Sequence, residues 1–62
     1  MKYNVTVLFE LRLGYCVIHS QVCTALTDAA AVDNVLDSAR ELWDEQITDY
    51  EVIDIELQAT EH

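Results

Sequence analysis

The stretch YNVTVLFELRL, residues 3–13, decides how this chain folds. Its odd positions, from Tyr3 through Val5, Val7, Phe9 and Leu11 to Leu13, are all apolar, while Asn4, Thr6, Glu10 and Arg12 are polar and Leu8 alone breaks the alternation. Successive side chains on a strand point to opposite faces, so this spacing predicts a strand with one continuous apolar face. No other segment keeps the period so faithfully. It is the expected central strand of a small sheet.

Working outward, the single glycine, Gly14, lies between Leu13 and Tyr15 and can take the positive φ of a tight turn, which predicts a hairpin. Residues 15–23 (YCVIHSQVC), rich in aromatic and β-branched side chains, predict the second strand. Its faces are less distinct than those of the first. Cys16, Ile18, Ser20 and Val22 share one face and Tyr15, Val17, His19, Gln21 and Cys23 the other. A strand apolar on both sides is deeply buried or meets a partner, and a domain with one helix can cover only one face.

Thr27 or Asp28 is the expected helix N-cap, and the helix is expected to run to about Gln46. Val32, Val35, Leu36, Ala39, Leu42 and Trp43 recur at steps of three and four, predicting an apolar stripe that covers the first strand. Thr48 and Asp49 open a last strand at residues 50–58, with Ile53, Ile55 and Leu57 facing one way and Asp54 and Glu56 the other, before a polar tail at residues 59–62. The order strand, strand, helix, strand predicts an α+β fold of ββαβ type: one domain over residues 1–62, a three-stranded antiparallel sheet in the order 2-1-3, and a helix on one face.

Twelve acidic against three basic residues give a net charge of -9 on 62 residues, which excludes direct binding to nucleic acid or to anionic membranes and favours a basic protein partner. With 52% hydrophobic residues the charge belongs to a folded body and not to a disordered acidic tail. Lys2 is followed by strand alternation, so no signal peptide is expected, and no apolar run approaches a membrane span. A cytoplasmic location follows. Cys16 and Cys23, roughly 23 Å apart on an extended strand, are beyond disulfide reach and read as reduced structural cysteines. His19 and His62 have no ligand spacing to either cysteine, so no metal and no cofactor are expected. No phosphate loop, activated nucleophile or HExxH is present, and the reading is not an enzyme.

Asp33, Asp37, Glu41, Asp44 and Glu45 lie opposite the helix's apolar stripe and are relieved only by Arg40. Like charges one turn apart oppose each other, and the last three sit where the helix dipole already disfavours anions. The last strand adds Asp49, Glu51, Asp54 and Glu56. A solvated helix face that keeps a small protein soluble is the plain reading. The alternative is a row of carboxylates, spaced at about 5.4 Å per helical turn, that imitates the phosphates of a nucleic-acid strand. The candidate partner-binding residues are Asp33, Asp37, Glu41, Asp44, Glu45, Asp49 and Glu51, with Trp43 either core or apolar anchor.

The run Tyr3-Asn4-Val5-Thr6-Val7-Leu8, followed by a hairpin, one helix and a last strand at residues 48–57 of the type T-D-x-E-V-I-x-I-x-L, resembles the small dimeric phage proteins that inhibit uracil-DNA glycosylase. Those are acidic chains of about this length that imitate DNA. The resemblance implies a homodimer whose acidic faces sit in the enzyme's DNA groove, with an apolar pocket between subunits for the bulky side chain that the enzyme pushes into the duplex. The helix departs from the pattern. The family's is shorter and carries an acid flanked by aromatics, whereas Asp33-Asn34-Val35-Leu36 has none, and the first aromatic is Trp43. Two alternatives stand beside this reading: a phage-type inhibitor of another nucleic-acid machine, such as a CRISPR complex, a restriction enzyme or RNA polymerase, and an acidic antitoxin-like or adaptor module that binds through a sheet edge.

Overall fold

The computed structural model describes residues 1–58; the tail expected at residues 59–62 lies outside the described residues. Strands β1 (Lys2–Leu11) and β2 (Cys16–Thr24) are followed by helix α1 (Asp28–Trp43), one 3-10 turn (Asp44–Gln46) and strand β3 (Ile47–Gln58). β1 pairs antiparallel with both neighbours, giving the order β2-β1-β3. The α+β architecture is the one expected, with the alternating stretch in the middle.

The alternation in β1 translates directly into burial. Val5, Val7 and Phe9 have no exposed surface and Tyr3 retains 9%, packed against Ala31, Val35, Leu36 and Ala39 of α1. Each such side chain contributes about 1.5–3 kcal/mol on leaving water. Residues directly opposite on paired strands share a face, so Val17, His19, Gln21 and Cys23, opposite Phe9, Val7, Val5 and Tyr3, also point toward the helix. The other face has no covering layer among the described residues.

The hairpin closes as its glycine requires. Gly14, at φ 86, donates its N–H to the Leu11 carbonyl at 2.9 Å, and the Leu11 N–H reaches the Tyr15 carbonyl at 2.7 Å. The same loop is clasped to the far end of the helix: the Arg12 N–H donates to the Gln46 carbonyl at 2.8 Å and its guanidinium to the Glu45 carbonyl at 3.0 Å.

Thr27 is the N-cap, its hydroxyl accepting from the Ala30 N–H at 3.1 Å. The helix ends at Trp43, three residues before the expected Gln46. Trp43 turns inward, its ring 5.5 Å from Phe9 and 5.7 Å from His19, centroid to centroid. From there the chain must reverse to pair Ile47 with Leu11. Leu42, expected in the apolar stripe, is 65% exposed because Trp43 takes the space over Phe9 and His19, and Ala31 joins the core unforeseen.

The reversal falls on Asp44, at φ 52 and ψ -126, a conformation open to glycine and costly for a residue with a Cβ, by about 1–3 kcal/mol. Asp44→Gly should therefore stabilise the protein by about 1 kcal/mol. An upward shift of the urea midpoint at unchanged slope is the expected result.

Candidate interaction surface

β3 carries its acids at positions 49, 51, 54 and 56, two odd and two even. A regular strand would send the two pairs to opposite faces, and Asp54 and Glu56 could not join Asp49 and Glu51. The register resolves the conflict. Glu10 pairs with Asp49, Leu8 with Glu51, Thr6 with Asp54 and Asn4 with Glu56. Between Thr6 and Val7 the ladder shifts, since Val7 pairs with Val52, so Ile53 is an extra residue in a β-bulge. A second shift, between Glu10 and Leu11, absorbs Thr48.

The consequence is a complete sorting of the strand. Ile47, Tyr50, Val52, Ile55 and Leu57 lie opposite Leu11, Phe9, Val7, Val5 and Tyr3 on the helix side. Asp49, Glu51, Asp54 and Glu56 all lie on the open face and all are exposed. Alternate residues on a strand are about 6.7 Å apart, so the four carboxylates form an evenly stepped row, lengthened where the bulge intervenes. Glu10 adds a fifth, directly across from Asp49. Like charges directly opposite on neighbouring strands destabilise a sheet. None of them is in a salt bridge: among the described residues the one such pair is Arg40 to Asp37 at 3.5 Å, on the helix, and Lys2, opposite Gln58, is the cation of β1 on the open face.

The residues singled out from sequence therefore do not make one row. Asp33, Asp37 and Glu41 are exposed along α1, whose apolar side rests on the Val5, Val7 and Phe9 face. Their carboxylates project from the helix, while those of β3 leave through the opposite face of the sheet. The single helix-and-strand row anticipated above is corrected to two separate groups. Of the two roles left open for Trp43, core or anchor, the structure shows the first: its partly buried ring is packed with Phe9 and His19. Asp44 and Glu45 belong to the 3-10 turn and not to the helix.

That turn borders a groove of about 440 Å³ between the helix end and the start of β3. Buried Phe9 and Leu36 line it together with Ile47 and Tyr50, and exposed Arg40, Asp44, Glu45 and Asp49 surround them. Asp49 and Tyr50 also line a smaller hollow on the open face beside Leu8, Glu10 and Glu51. The start of β3 thus joins an apolar groove to the acidic row, and four of the sequence candidates, Asp44, Glu45, Asp49 and Glu51, meet there. Sequence reading left Asp54 and Glu56 out of the site because a one-residue bulge leaves no signature in composition or motif.

Among the described residues no group of three or more His, Cys, Asp or Glu side chains is disposed to hold a metal, and no helix is long and apolar enough to cross a membrane. Compared with protein families, with characterised proteins and with solved structures, the chain finds no match.

Deleting Ile53 tests the bulge. Removal of the extra residue leaves Val7 opposite Val52 and Thr6 opposite Asp54, so the variant should fold with an unchanged far-ultraviolet circular dichroism spectrum; loss of cooperative unfolding would mean that the strand is regular there. Glu10→Gln should raise stability by about 0.2–1 kcal/mol. The gain should shrink as salt approaches 1 M, where charges are screened within about 3 Å.

Proposed function

We propose that the protein is an acidic DNA mimic that occupies the DNA-binding groove of a basic host enzyme, with uracil-DNA glycosylase the target named by the sequence resemblance. The observation that carries this reading is the row Asp49, Glu51, Asp54 and Glu56 on one face of β3, gathered by a bulge and left without a salt bridge among the described residues. A groove built for DNA offers lysine and arginine to successive phosphates. Carboxylates accept the same forked and charge-assisted hydrogen bonds. A row of them on a strand hydrogen-bonded to its neighbour is ordered in advance, so little conformational freedom is lost on docking.

The excess of negative charge on that face also steers encounter with a basic groove, giving fast association at low salt. The groove beside the row adds an apolar component. Ile47 and Tyr50, over the buried Phe9 and Leu36, offer a seat for a bulky apolar side chain of the partner, within reach of the acids at Asp44, Glu45 and Asp49. The resemblance implies such a pocket between subunits; the groove that supports the present reading is formed by one chain. Inhibition on this mechanism is competitive and stoichiometric, with no chemical step.

In an assay of uracil excision from an oligonucleotide, near-stoichiometric protein should abolish product. The variant Asp49→Asn/Glu51→Gln/Asp54→Asn/Glu56→Gln should inhibit at least about a hundred-fold more weakly, or ~2.7 kcal/mol, while staying folded. The helix variant Asp33→Asn/Asp37→Asn/Glu41→Gln should lose less than about ten-fold. Equal loss in both would place the contact elsewhere, and unimpeded excision by the parent protein would remove the glycosylase as target.

A further inference from the structure

The face of the sheet turned away from α1 is sorted from one edge to the other. Residues directly opposite on paired strands share a face, so each rung of the open side runs from β2 through β1 to β3. Ile18, Leu8 and Glu51 make one rung, and Ser20, Thr6 and Asp54 the next. Val22, Asn4 and Glu56 follow, while Cys16, Glu10 and Asp49 continue the series toward the hairpin. Each of these rungs starts on an uncharged side chain and ends on a carboxylate. The β2 half is apolar and bare: Ile18 and Val22 are 66% and 51% exposed. Between them the Ser20 and Thr6 hydroxyls are already paired with each other at 2.9 Å. Lys2, flanked by Thr24 and Gln58 at the far end, is the one cation among these positions.

We propose that this face is the docking surface for a helix of the partner protein, one that carries an apolar stripe beside a row of lysine or arginine. The stripe covers Leu8, Ile18 and Val22, and the basic row meets Glu51, Asp54 and Glu56. Charge complementarity sets the sign of the row. The apolar half sets the stripe, because a bare hydrophobic patch rimmed by polar groups is buried only by an apolar counterpart.

The form of the occupant follows from size and hydrogen bonding. β2 and β3 lie two strand spacings apart, about 10 Å, close to the diameter of one helix with its side chains, about 10–12 Å. The rungs from Cys16 to Val22 span roughly 20 Å, the length of about thirteen helical residues. A sheet face offers side chains and no free backbone groups, so a covering segment must satisfy its own backbone, as a helix does. The other side of β1 is closed in that way by α1, and a helix on each face buries both sides of a sheet. A second copy of the chain would set these acids against its own, or against Asp33, Asp37 and Glu41 on the outside of its helix. An anionic membrane meets the same repulsion. The inference deepens the inhibitor reading by naming the element of the partner that the row receives; it rests on that reading's use of the row as a contact surface, not on which enzyme is the target.

The probe is a synthetic alanine-based helix of about fourteen residues with leucines at steps of three and four and lysines along one flank of that stripe. The control has the same composition, shuffled so that no stripe forms. Titrated into the isotope-labelled full chain, the striped peptide should shift the amide resonances of Leu8, Ile18, Val22, Glu51 and Asp54 and leave those of Asp33 and Asp37 in place. It should bind at least about ten-fold more tightly than the control. Ile18→Ser/Val22→Ser and Glu51→Gln/Asp54→Asn should each weaken it at least about ten-fold, with cooperative unfolding retained, and only the first should keep the parent's salt dependence. No binding at about 1 mM peptide, equal binding of the two peptides, shifts centred on α1, or indifference to Ile18→Ser/Val22→Ser would overturn the proposal. The excision assay separates it from the inhibitor reading. A chain that binds the striped peptide on this face but leaves excision unimpeded keeps the docking surface and loses the glycosylase, whereas one that abolishes excision without binding the peptide loses the docking surface.

Discussion

The contact of Val5, Val7 and Phe9 with Ala31, Val35 and Ala39 is the interaction on which every other feature depends. It fixes which face of the sheet is covered, and the covered face in turn dictates where each strand must send its side chains. With so few residues fully buried there is no second core to compensate an error, and a strand that presented an acid to the helix would cost several kcal/mol. β3 meets that demand by inserting Ile53. Its apolar residues change parity along the strand, and the bulge changes the backbone with them, so both halves deliver their hydrophobic side chains inward.

The acidic row is the other half of the same event. Once the apolar positions of β3 are directed at the helix, its carboxylates have only the open face, and they arrive there as a group, facing Glu10. Stability alone gives no reason for five acids at the β3 side of that face, because cross-strand repulsion works against the sheet. Solubility would be served as well by charges of mixed sign. An uncompensated row at strand pitch is what a basic groove would select, which is why the functional reading is anchored on β3 and not on the helix.

Much of this was legible in the residues themselves. The period of β1, the turn at Gly14, the cap at Thr27 and the order of strands follow from local rules that the structure obeys. Two things were hidden. The helix ends at Trp43 and not at Gln46 because a tertiary contact, the indole against Phe9 and His19, outweighs the helix propensity of Glu45 and Gln46, and the intervening Asp44 is a weak helix former. The grouping of Asp49 with Glu56 was hidden because periodicity counts residues, whereas a bulge removes one from the count. For the helix acids the residue pattern correctly gave an exposed face; what it lacked was the knowledge that this face and the β3 row look in opposite directions.

The uncovered side of the sheet has a consequence for how this chain tolerates change. Apart from the turn at Gly14 and the cap at Thr27, the residues whose identity the fold enforces lie between the sheet and the helix, so replacements on the bare side meet solvent and leave the hydrophobic interior untouched. As far as folding is concerned, such a surface is free to drift in sequence while the scaffold under it stays the same, and only what it binds restrains it. A lineage built on this plan would keep its shape long after the outward-facing letters had ceased to match, and the inward alternation of β1 would be the last trace of common descent to fade.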